Sequence, residues 1–174
     1  DGYVEVALEI LDEDVDRIHD LNELSAYTDE NGYFSIENAP DDFQIVSLGG
    51  TDVDSGEAID VLYSPSGSSM VTPLTTLVAE GADFSSTFSN EIDVLTYNPI
   101  EALESDPNSQ DAAQLVAVGQ QVLAVLVSSA EVESTIAGSD FENAFTNSVK
   151  SLVSSESGVG VQDLIVLNEL DDEG

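Results

Sequence analysis

The chain has 174 residues, of which 36 are acidic and 2 basic, giving a formal net charge of −34. So little Lys and Arg leaves nothing to neutralise phosphate, which argues against nucleic acid and anionic membrane as partners. The absence of Cys excludes disulfides, thiolate zinc sites and cysteine nucleophiles.

A hydrophobic content of 41% in recurrent runs indicates a folded core rather than disorder. So acidic a chain repels itself when compact, and multivalent cations or high salt are expected to stabilise it. No apolar run approaches membrane-spanning length, so no membrane insertion is expected. The chain opens at Asp1 without a signal-peptide pattern and reads as a module cut from something longer.

Residues 3–11 alternate, with Val4, Val6, Leu8 and Ile10 on one face of a strand and Glu5 and Glu9 on the other. Asp12 to Glu23 follow at once. With Asp12 as the first position of a twelve-residue loop, Asp14, Asp16, Asp20 and Glu23 fall at positions 3, 5, 9 and 12. Ile18 at position 7 offers its backbone carbonyl. That is the ligand spacing of an EF-hand-type Ca²⁺ loop, in which a tight turn aims alternate oxygens at one hard cation. The departure is Arg17, at the position where such loops have Gly for the sharp turn.

Ser25 to Thr28 and Tyr33 to Ile36 flank Asp29-Glu30-Asn31-Gly32 and predict a hairpin. Asn38 to Asp42 predict a turn, and Phe43 to Leu48 a strand ended by Gly49-Gly50. The loop at 51–57 carries a weaker second cation candidate in Asp52, Asp54 and Glu57. Residues 59–63 predict another short strand.

The pattern changes at Thr72-Pro73, a cap and first residue for a helix running from Leu74 to Glu80 and stopped by Gly81. Ile92, Leu95 and Pro99-Ile100 suggest a short turn packed on the core. Asp106-Pro107 opens the longest predicted helix, to about Val132, with an apolar stripe of Leu115, Val118, Val122, Val125 and Leu126 broadened by Val116 and Leu123. That breadth predicts a helix sandwiched between other elements. Ser139 and Glu142 have capping-box spacing ahead of a helix lined by Phe141, Phe145, Val149 and Leu152, with Lys150 in its last turn. A last short helix is predicted over 161–170, before a solvated acidic tail.

Catalytic signatures are missing. The one histidine, His19, sits inside the acidic loop and reads as solvent-facing, and no Gly-X-Ser-X-Gly elbow, phosphate loop or dinucleotide fingerprint occurs. Tyr3, Tyr27, Tyr33, Phe34 and Phe43, at strand spacing, read as core rather than ligand platform.

Tyr3-Val4, the loop ending at Glu23, Thr28 to Phe34, Gly49-Gly50-Thr51-Asp52, Ser64-Pro65-Ser66-Gly67 and Val71 to Leu77 occur in that order. The series resembles a module of very large secreted bacterial surface proteins, including RTX-type adhesins of marine Gram-negative bacteria. Its first half is similar to their calcium-loop β-sandwich units and to the carboxypeptidase-regulatory-like fold; Tyr97-Asn98-Pro99-Ile100 resembles a recurring motif of the helical half. Such modules usually have Gly and Asn where this chain has Arg17 and Asp16.

The resemblance implies an extracellular, non-enzymatic, Ca²⁺-stabilised module at the bacterial surface. Its ligand would be a short peptide or glycan engaged in cell adhesion and biofilm formation. The alternative is a structural extender or assembly subunit that contacts only neighbouring modules or like subunits. The expected fold is α+β: a small antiparallel β-sandwich over about residues 3–72, within a part spanning 1–72, and a helical subdomain over about 73–170, within a part spanning 73–174 and packed on it.

Overall fold

A computed structural model describes residues 7–12, 17, 20, 22–29, 31–39, 43–50, 61–85, 87–89 and 92–154. Four strands, β1 (Leu8–Asp12), β2 (Ser25–Tyr27), β3 (Gln44–Leu48) and β4 (Val61–Ser64), form one antiparallel sheet in the order β2-β1-β3-β4. Four helices follow: α1 (Pro73–Ala79), α2 (Pro99–Ser105), α3 (Gln110–Ala137) and α4 (Phe141–Ser154). The α+β class expected from the sequence is the one observed. Where a sandwich would place a second sheet, the described residues place helix α3 and connecting loops.

Strands β3 and β4 are buried on both faces. In β3 and β4 every residue from Gln44 to Ser47 and from Val61 to Ser64 is buried. Pairing fixes the faces, because side chains alternate along each strand. Glu9 lies opposite Ser47, and Ser47 opposite Leu62, so these three share one face with Leu11 and Ile45. Ile10, Val46 and Tyr63 share the other. One hydrophobic core joins the sheet to the helices through Val46, Tyr63, Leu77, Val118, Leu126 and Phe145.

Helix α1 starts as its residues dictate. The Thr72 hydroxyl accepts the Thr75 N–H, Pro73 stands at the first turn where its missing N–H costs nothing, and Gly81 leaves the helix at φ +103°. The next residues do a second task. Tyr63 N–H donates to the Thr76 hydroxyl at 3.1 Å, and the Thr75 and Thr76 hydroxyls lie 3.3 and 3.0 Å from the Tyr63 carbonyl. These are backbone groups of β4, at the end of the strand order. Buried and unpaired they would be costly, and exposed they would template another strand.

Several elements differ from expectation. The Asp29–Gly32 turn forms, with the Asp29 carboxylate accepting the Asn31 and Tyr33 N–H groups and Gly32 at φ +78°. Residues 33–36 are not a strand, however, and β2 pairs with β1 instead. Pro99 opens helix α2 under an Asn98 cap, where a turn was expected. Asp106 ends α2 rather than starting α3, whose cap is Ser109 and whose end is Gly138 at φ +68°. By length and composition α3 is apolar enough to cross a membrane, contrary to the sequence reading. It packs on α1, α2 and α4, burying Leu115, Val118, Val122 and Leu126. The α4 cap is Asp140, whose carboxylate accepts the Asn143 N–H, rather than Ser139. Because α4 runs to Ser154, Lys150 stands before its last turn.

Thr76→Val keeps shape but removes the acceptor for Tyr63 N–H. It is expected to cost about 1–3 kcal/mol in denaturant unfolding, with an unchanged m-value.

Candidate functional site

A cavity of about 420 Å³ lies between the sheet and α3. Its sheet wall is one face alone: Glu9, Leu11, Ile45, Ser47 and Leu62. Across from it stand Leu115, Val116, Gly119 and Leu123 of α3, which is why the stripe of α3 is broader than its contacts with α1, α2 and α4 require. The volume is within the range of small-ligand pockets, and the lining is mostly apolar.

Tyr33, Phe34 and Phe43 also line the cavity. They were expected in the core at strand spacing. Instead Tyr33 is exposed and Phe34 and Phe43 half-buried, while Tyr27 is 69% exposed; Tyr3 lies outside the described residues.

Glu9 is the feature that the strand pattern misassigned. Alternation put it on a solvated face, yet it is only 3% exposed. The sheet is covered on both sides, so the alternate face of β1 meets the cavity rather than water. The Ser47 hydroxyl opposite hydrogen-bonds the carboxyl, and Oε2 has no partner among the described residues. Burial pushes Glu9 up to about 7, the Ser47 bond partly opposing this. Among the described lining residues Glu9 is the only carboxylate, in a chain with 36 acidic residues.

The acidic loop lies at the opposite end of β1. Its base is closed by Leu11 N–H donating to the Leu24 carbonyl at 2.9 Å, so Asp12 and Glu23 leave adjacent antiparallel strands. Asp12 is fully buried, and its Oδ2 accepts the Arg17 N–H at 2.8 Å. Arg17 has φ +64°, the left-handed conformation for which loops of this kind use Gly. Its side chain reaches Glu80 Oε1 at 2.5 Å and lies 3.7 Å from the Tyr63 ring centroid. Asp20 N–H donates to Glu23 Oε2, and Glu23 N–H to the Asp20 carbonyl.

Three of the six expected ligands, Asp12, Asp20 and Glu23, are thus described. Asp14, Asp16 and Ile18 lie outside the described residues, as do His19 and the second candidates Asp52, Asp54 and Glu57. Among the described residues no three metal-ligating side chains converge.

No protein-family model matches the chain, and neither curated proteins nor solved structures yield a match.

Two outcomes follow for the cavity. A carboxyl whose pKa is raised from 4.5 to about 7 by folding binds its proton more tightly in the native state, so its contribution falls as pH rises through that window. Raising the pH from 4.5 to 7.5 should therefore lower the stability of the wild type by about 3 kcal/mol more than that of Glu9→Gln, measured by urea unfolding. A Cβ at Gly119 would meet nothing within 4 Å, so Gly119→Ala should gain about 1 kcal/mol of helix stability without a steric penalty.

Proposed function

We propose that the chain is a non-enzymatic binding module of a bacterial cell surface, braced by Ca²⁺ at the loop between β1 and β2 and serving adhesion. The observation that carries the calcium half is the backbone of Arg17. A loop with carboxylates at Asp12, Asp14, Asp16, Asp20 and Glu23 needs a sharp turn after its fifth position, and Arg17 makes one at φ +64°. The guanidinium is directed at Glu80, so its charge already has a partner outside the loop.

The cavity favours binding over the rival reading of a plain extender. Unfilled apolar space costs stability in proportion to its volume, and a spacer gains nothing from it. A short apolar ligand suits that lining better than a glycan. Sugars are held by arrays of polar groups, and most of the surface of this cavity is apolar.

Thermal unfolding at matched ionic strength, with millimolar CaCl₂ against chelator, tests the calcium half. Ligand binding to the native state alone raises Tm, and saturation a hundredfold above Kd stabilises by about 2.7 kcal/mol. Calcium should raise the Tm of the wild type, and Asp14→Ala should lose most of the rise. An equal rise with NaCl alone, or an unchanged response in the variant, contradicts the reading.

A further inference from the structure

We propose that the cavity between the sheet and α3 takes a small apolar molecule bearing a single primary amine, with its ammonium group on Glu9 and its apolar body along α3. This rests on the reading of the chain as a binding module, but not on the loop taking Ca²⁺.

Three observations converge on that chemistry. Glu9 is more than nine-tenths buried, lines the cavity and has a carboxylate oxygen with no partner among the described residues. Retaining such a group has a cost unless something satisfies it, and an ammonium satisfies it with a charge-assisted hydrogen bond. Most of the remaining surface is apolar, and Phe34, Phe43 and Tyr97 are among the residues that line it and can contact a cation or its stem.

Long-range charge adds the third argument. A net charge of −34 concentrates cations around the molecule and depletes anions, so a fatty acid of the same length is disfavoured before it arrives. A neutral alcohol is neither drawn nor repelled, and gains only an uncharged hydrogen bond.

The wall has an open position that permits a clean test. Gly119 of α3 lines the cavity, and a Cβ there meets nothing within 4 Å, so a larger side chain can start from it into ligand space. Octylamine, octanol and octanoate share one apolar body and differ only at the head. Each is titrated calorimetrically into the full chain at moderate salt, with and without calcium, and into Glu9→Gln and Gly119→Phe. Circular dichroism and Tm establish that each variant is folded.

Octylamine is expected to bind saturably, one molecule per chain, and at least about tenfold more weakly to Glu9→Gln, the loss expected for one charge-assisted hydrogen bond. Octanol should bind more weakly and lose little in Glu9→Gln, and Gly119→Phe should abolish both. Equal binding of octylamine to wild type and Glu9→Gln means adsorption to the acidic surface and overturns the proposal. Preference for octanol or octanoate overturns the amine while leaving a binding cavity. No binding of any of the three overturns the amine proposal and counts against the cavity as a ligand site.

Discussion

One guanidinium ties the sheet to two of the helices. Arg17 is one of only two basic side chains, yet it lies mostly inside, paired with Glu80 at the end of α1, over the ring of Tyr63 in β4 and 3.3 Å from the Thr146 hydroxyl of α4. Arginine suits the place because a planar, always-charged guanidinium can stack on a ring and donate along its edge at once. The Tyr63 hydroxyl donates to the same Glu80 oxygen. Burial pushes the phenol up, the Arg17 charge opposes this, and Glu80 reinforces it. Breaking the knot by removing Arg17 would leave Glu80 facing Tyr63 with its charge uncompensated, which is more costly than never having had the pair.

The knot explains a conformation that would otherwise look like a defect. A left-handed backbone at an arginine carries a steric cost that glycine would avoid. The turn delivers the side chain to Glu80, while the Asp12 carboxylate holds the turn by accepting the Arg17 N–H. The residue that departs from the expected loop pattern is thus the one that anchors the loop to the helices. On the opposite face of the same sheet, Glu9 and Ser47 meet the cavity, so β1 contributes to both candidate sites with alternate residues.

Much of the fold was readable. The cap and breaker at Thr72-Pro73 and Gly81 mark α1, and the apolar spacing through Leu115, Val118 and Val122 marks α3, because they act through a few residues of local chain. The misread boundaries share a cause. Asp106 and Ser109 both qualify as caps, and only the packing of α2 decides that Asp106 closes one helix and Ser109 opens the next. Tyr33 to Ile36 have strand propensity but no partner strand among the described residues, since β2 is taken up by β1. Glu9 was illegible for a similar reason. Alternation tells which face of a strand a residue joins, and only tertiary structure tells whether that face meets water. The signal that was present is Ser47 between Val46 and Leu48 of β3, a polar residue opposite Glu9 in register.

Glu9 is a carboxyl held in a largely apolar cavity, and its ionisation reports on that cavity directly. Carbon-detected NMR of the Glu9 side-chain carboxyl across pH 3 to 9, assigned by comparison with Glu9→Gln, gives the midpoint for that one group among the other acids. A midpoint near 7, well above the ordinary glutamate range, is what burial beside Ser47 predicts. A midpoint near 4.5 would mean that water reaches the carboxyl freely, and the cavity would then be no apolar binding site.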